Sequence, residues 1–449
     1  MGRGGWKLGD ICYFCQTMNS LDREILRLAL PSIVSNITVP LLGLCDVTIM
    51  GHVGGAASIG AIAVGSMIFN VMYWLFVFLR MSTSGLTAQA YGAERWSETR
   101  RILHGSLARA LLFGSVIVAL QVPLRWLTFW LMQASGEVAT LLTPYYYICI
   151  WGAPAVLGLY VLMGWLVGMQ NTRLPMVIAI GQNVVNIGVS LLLVLVFGMG
   201  IRGVALGTLI AQWAGFLVGV ALVMRGEKRG ERGEDSSAAH NEKVFSLSSL
   251  QLDIFLRTVC LVSVNLYFTS AGSAQGALIL AANTLLMQFF TIYSYMMDGF
   301  ANAGEALAGR YQGAGDAAML SQTVRRLFRW GGAVALLFTV AYWAGGPVLL
   351  RLLTSDGSVV SMARTFLPWA VLIPAAGMAA FVWDGIFIGT TRSRGMLAAC
   401  FWAALTFFAL WFLLAPSLHN HALWLALLAY LAMRGLVQTW LWNTAPKQR

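Results

Sequence analysis

One carboxylate, Asp46, stands in LLGLCDVTIMGHVGG, residues 41–55, at the end of a run that from Ile25 onward is otherwise almost wholly uncharged. An ionisable group in such surroundings can take up a proton or gather a small cation, and its cost in hydrocarbon makes it a functional candidate by default. Asn183, Asn186 and Ser190 fall on one helical face further along, and amide and hydroxyl oxygens beside a carboxylate are hard ligands suited to a small cation. In the second half Thr284, Gln288, Thr291, Tyr295, Asp298, Asn302 and Glu305 recur at alternating steps of four and three, the spacing of one helix face. Ser66, Asn70, Tyr73, Arg80 and Ser84 form a similar stripe in the first half. Two such stripes read as walls of one aqueous cavity, with helix–helix hydrogen bonding as the structural alternative. Asp384, in FVWDGIFIG, is a further intramembrane carboxylate; for it and for Asp298 the alternative is helix packing or a buried ion pair.

The elements that must position these groups are transmembrane helices. Of 449 residues 58% are hydrophobic and 10% charged, against roughly 25% charged in an ordinary soluble domain. Twelve apolar runs, near 24–50, 57–82, 102–132, 141–169, 174–198, 201–224, 251–272, 276–305, 323–352, 361–389, 394–415 and 420–443, are each long enough to cross the hydrocarbon core as a helix, which takes about 20 residues. The charged stretch RGEKRGERGEDSSAAHNEK, residues 225–243, divides them six and six. The expected organisation is a cytoplasmic segment 1–23, an N-terminal lobe 24–224 of six helices, a cytoplasmic linker 225–250, a C-terminal lobe 251–443 of six helices, and a cytoplasmic tail 444–449.

The halves match at an offset of about 221 residues: YGA at 91–93 against QGA at 312–314, Gly168 against Gly389, and TR at 172–173 against SR at 393–394. Six spans per unit make parallel repeats related by an axis along the membrane normal, an architecture that in transporters places a site between the lobes near the midplane. The net charge of +11 does not point to nucleic acid, because the basic residues gather at alternate connections, among them Arg95, Arg100 and Arg101, Arg310 with Arg325 and Arg326, and the 225–243 loop. By the positive-inside rule both termini are cytoplasmic, as expected of a multi-pass protein of the inner or plasma membrane.

Signatures of catalysis are missing: no nucleotide-binding Walker loop, no HExxH and no GxSxG in a strand–turn–helix context. An integral membrane transferase would need a reactive cluster at one membrane face, and the five histidines assemble none on any helix face. Cys12 and Cys15 form a CxxC without a second pair or a His cluster, so no resident metal or cofactor is expected. The first seventeen residues resemble neither a signal peptide nor a myristoylation site.

LALPSIVSNITVPLLGLCDVTIMGHVG, FLRMSTSGLTAQAYGA, WGAPAVLGLYVLMGWLVGMQNTRLPM, LAANTLLMQFFTIYSYMMDGFANAGEALAGRYQGA and DGIFIGTTRSR resemble, in order and spacing, segments of the multidrug and toxic compound extrusion (MATE) family, in particular its DinF subfamily. The resemblance runs from about residue 20 to 445. It implies export of organic, often cationic, compounds in exchange for protons or sodium ions. It also implies that Pro31 bends the first helix and that Asp46 is the proton or cation acceptor, with Asn186 and Thr208 completing a coupling-ion site. Ser190 stands where the family has a second aspartate. One carboxylate suffices for a proton and is weak for sodium, so the departure favours proton coupling. Asn70, Tyr73, Asn183, Gln288, Tyr295, Asp298, Asn302, Glu305 and Asp384 are the expected substrate-cavity residues. The expected partners are small organic molecules and the bilayer, with no nucleic acid, and the chain is expected to act as a monomer. A flippase of lipid-linked precursors, which the wider superfamily contains, is the alternative. It needs a large cationic cavity, whereas the stripes offer Arg80 against Asp46, Asp298 and Glu305, a balance better suited to cationic substrates.

Overall fold

The computed structural model describes residues 20–53, 56–132, 136–230 and 247–444. The CxxC, most of the expected linker and the last five residues lie outside the described residues. Every regular element described is helical. The first lobe comprises α1 (Ser20–Val53), α2 (Ala56–Trp74), α3 (Phe78–Gly92), α4 (Trp96–Ala119), α5 (Gln121–Leu131), α6 (Gly136–Cys149), α7 (Ala153–Gly168), α8 (Arg173–Leu191) and α9 (Gly200–Gly230). The second comprises α10 (Leu247–Ala274), α11 (Ala277–Gly313), α12 (Ala317–Leu353), α13 (Gly357–Gly389), α14 (Ser393–Leu418) and α15 (Asn420–Thr444).

Eleven stretches, several of them two helices in tandem, are long and apolar enough to cross a membrane. With the 34-residue α1 before them, this is consistent with twelve crossings in two lobes. Large apolar side chains such as Trp126, Trp343 and Leu413 face outward, as a lipid-facing surface requires. Apolar runs locate the crossings but not where helices stop. The run expected at 57–82 continues through polar residues to Gly92, and the one expected at 102–132 begins at Trp96 and breaks at Leu120. Two helix starts are set by carboxylates: Asp316 accepts from the Met319 N–H at 2.9 Å, and Asp356 from the N–H groups of Ser358 and Val359. Those bonds, led by the one from the Ser358 hydroxyl, hold the exposed Asp356 carboxyl below the usual range.

The 221-residue repeat reappears as paired contacts. Gly168 of α7 lies against the Ser84 carbonyl of α3, and Gly389 of α13 lies against the Glu305 carbonyl of α11; an added Cβ would come within 2.8 and 2.4 Å of those oxygens. The lobes meet by the same symmetry where α3 and α11 end. A Cβ on Gly92 would sit 1.9 Å from the Arg310 carbonyl oxygen, and one on Gly313 would sit 2.0 Å from that of Gln89. Each position admits only glycine because helix backbones touch there.

Polar contacts reinforce this closure. The Gln89 amide donates to the Gly389 carbonyl at 2.8 Å, and the Gln170 amide to the Ala306 carbonyl at 2.7 Å. Arg326 pairs with Asp22 at 2.8 Å and Arg310 with Glu24 at 3.7 Å. The two lobes are thus sealed together at the end that carries these basic residues.

Candidate functional site

α1 lies between the lobes, packed on α8 of its own lobe and α11 of the other. It runs helically through Pro31, which has no N–H for the carbonyl four residues back. That carbonyl, of Arg27, instead accepts from the Thr172 hydroxyl at 3.5 Å. Further along, Asn36 donates to the Tyr295 carbonyl in the second lobe at 3.2 Å, and Asn183 donates to the Thr38 carbonyl at 3.0 Å. α1 is therefore tied to both lobes on the N-terminal side of the one charge in its long apolar run.

That charge is Asp46, only 3% exposed. One of its oxygens accepts from the Thr208 hydroxyl of α9 at 3.5 Å, and Thr208 accepts from the Asn186 amide of α8 at 2.9 Å. The other Asp46 oxygen, the Asn186 side-chain oxygen and the Ser190 hydroxyl are all buried without a hydrogen-bond partner. Ser190 lies directly against Gly207, the neighbour of Thr208. Three elements thus gather one carboxylate with neutral oxygens, several of them unspent. An unpaired carboxylate at this depth is costly when ionised, and either a proton or a small cation relieves that cost. Among the described residues no group of three His, Cys, Asp or Glu side chains forms a metal site.

The polar stripe of α11 is graded. Thr284 and Gln288 are exposed, Thr291, Tyr295, Asp298 and Asn302 are half-buried, and Glu305 is buried. The wall therefore opens away from the sealed end and closes towards it. Asp298 makes no ion pair among the described residues. Glu305 does: Arg80 of α3 reaches it at 3.6 Å and donates to the Asn302 side-chain oxygen at 3.2 Å. These two residues thus help join the lobes.

The first-lobe stripe does not stay on one face. α2 and α3 are joined by a turn in which Phe76 donates to Tyr73 and Val77 to Trp74, three residues back. Its tighter winding shifts the phase of everything after it. Arg80 and Ser84 come after that turn; before it, on α2 itself, Asn70 is exposed while Tyr73 is packed in the lobe interior, its ring 5.7 Å from that of Phe69.

Asp384 lies in a separate buried cluster of the second lobe. Arg257 of α10 and Arg434 of α15 both pair with one of its oxygens, and the Gln438 amide donates to the other at 2.8 Å. The expectation of an acidic balance omitted these two arginines. With Arg257 and Arg434 around Asp384, and Arg80 on Glu305, acid and base are nearly matched in this half. The sequence carries the signal: each arginine lies within a largely apolar run, at 251–272 and 420–443, and buried charges in a membrane seek each other.

Two lobes of membrane helices, related by a repeat and sealed at one end, with a buried carboxylate that makes no ion pair among the described residues on the helix between them, define an integral membrane transporter. The MatE family sequence model matches residues 31–192 and 254–413. The chain belongs to that family. It is 39% identical over 427 residues to DNA damage-inducible protein F of Escherichia coli K12, covering 95% of this chain and 93% of the relative. It is 23% identical over 359 residues to the probable multidrug resistance protein NorM of Thermotoga maritima, covering 77% and 75% of the two. The bent form of the Vibrio cholerae MATE transporter VcmN has the same fold, with a TM-score of 0.84 at 18% identity, covering 95% of this chain and 97% of that one.

Proposed function

We propose that this protein is a proton-coupled antiporter that exports organic, chiefly cationic, compounds across the inner or plasma membrane by alternating access. Both termini, and with them the sealed end, face the cytoplasm, in keeping with the basic residues there. The arrangement described is then open to the outside.

The observation that carries the coupling is Asp46: a single buried carboxylate, one oxygen unpaired, surrounded by neutral oxygens from Asn186, Ser190 and Thr208. A proton needs only that one acceptor, whereas with Ser190 in place of a second carboxylate a sodium ion would meet a single formal charge. Because α1 contacts both lobes, protonating Asp46 changes the balance of contacts on a helix that packs directly on α11. The substrate lies along the graded face of α11, where the unpaired Asp298 attracts a positive charge. One relative is named as a probable multidrug resistance protein, which agrees with the export of drugs.

The test is transport in proteoliposomes with pH and sodium gradients imposed separately. Export is expected to follow the pH gradient with little response to sodium. Export driven by sodium alone at constant pH would overturn proton coupling, and no response to either gradient would overturn antiport itself.

A further inference from the structure

At the sealed end a cavity of about 580 Å³ opens between α1, the α7–α8 connection and α11, a volume typical of small-ligand pockets. Its charged lining is Glu24, Arg27, Arg173 and Arg310. Glu24 is already engaged, by Arg310 at 3.7 Å and by the Tyr311 hydroxyl at 3.3 Å. Arg27 and Arg173 have no ion pair among the described residues. The 19-residue α8 begins at Arg173, so the positive end of its dipole adds to the same field. The cavity therefore carries two uncompensated guanidinium groups in a partly enclosed space, and guanidinium pairs best with bidentate oxyanions such as phosphate.

We infer that this cavity binds a phosphate-bearing anion, and that the bound anion holds the two lobes together at this end. Arg27 and Arg173 come from the first lobe and Arg310 from the second. When the lobes part, Arg310 leaves the other two, so the anion binds the sealed arrangement more tightly and shifts the population towards it. Basic pockets between helices on the cytoplasmic side of a membrane suit acidic lipid headgroups. That source rests on the proposed orientation; a soluble phosphate compound would not.

The experiment uses the full chain in detergent, with native mass spectrometry to count bound phosphatidylglycerol against phosphatidylcholine, and thermal unfolding to read the effect of inorganic phosphate. Wild type is expected to retain phosphatidylglycerol selectively, and R27Q/R173Q to bind it about thirtyfold more weakly. R27K/R173K should keep most of the binding, which separates lost charge from misfolding. Stabilisation by inorganic phosphate that R27Q/R173Q abolishes, without lipid selectivity, would assign the site to a soluble anion. If R27Q/R173Q matched wild type in both arms, the site would be refuted. For the conformational claim, spin labels at Glu94 and Ala317, one at the sealed end of each lobe, should report a larger short-distance population with the anion than without it. Binding with an unchanged distance distribution would overturn the coupling. None of these readings uses transport, so a failed antiport assay leaves them intact.

Discussion

Among single residues, the contrast between Asp46 and Asp384 is the most informative. Both are buried carboxylates in helices, but Asp46 keeps an oxygen unpaired whereas Asp384 is shared by two arginines and an amide. Asp46→Asn should leave the protein inserted and folded, since it removes a buried charge that nothing neutralises, while pH-driven export in proteoliposomes falls below about a tenth of wild type. Near-normal export at equal protein level would remove Asp46 from the coupling step. Asp384→Asn should act on stability instead: it strands two buried guanidinium groups, at a cost of roughly 3–5 kcal/mol. The check is a marked loss of thermal stability in detergent; an unchanged melting temperature would mean that the cluster reorganises at little cost. At Ser190 a second carboxylate can be restored. Ser190→Asp should gain a sodium response, read as sodium-dependent transport at a pH alkaline enough to ionise both groups, and a variant as indifferent to sodium as wild type would refute the single-charge argument.

At the scale of elements, α3 and α11 meet through glycine backbones. A side chain at Gly92 or Gly313 would overlap the carbonyl of the partner helix, at Arg310 or Gln89, and a helix backbone cannot give way as a flexible side chain can. Gly92→Val and Gly313→Val should each stop the sealed end from closing. Spin labels across that end would then report longer distances than in wild type, with transport reduced at least tenfold and expression preserved. Labels at wild-type distances would show that the helices adjust locally and that the contact does not govern closure. The repeat predicts that the two substitutions behave alike, because each glycine makes on its partner the contact that the other makes in return.

For the whole molecule, the proposed alternating access requires the sealed end to open. Asp22 and Arg326 join the lobes there at 2.8 Å, with Trp330 donating to the same carboxylate at 3.1 Å. Joining D22C and R326C with a short bis-thiosulfonate reagent should abolish transport, a reductant should restore it, and neither single substitution should respond. Transport that survives the bridge would mean that the lobes do not part at this end during the cycle.

Sequence alone determined the membrane class and the two halves and singled out Asp46, because each depends on composition or on a pattern along the chain. The 221-residue offset in YGA and QGA marked the residues that later proved to touch across the lobes. Periodicity also predicted the α11 stripe, which is one uninterrupted helix. It failed for Tyr73, which shares α2 with the exposed Asn70 but packs beside Phe69 in the lobe interior, because spacing along one helix does not say which face meets a neighbour. Only the tertiary structure decided which carboxylates are paired. Arg257, Asp384 and Arg434 lie on three helices far apart in the chain, and Arg80 meets Glu305 across the lobes. Whether a buried charge is free or neutralised depends on what packs beside it, and that neighbour is set by how the helices assemble, not by the residues adjacent in sequence.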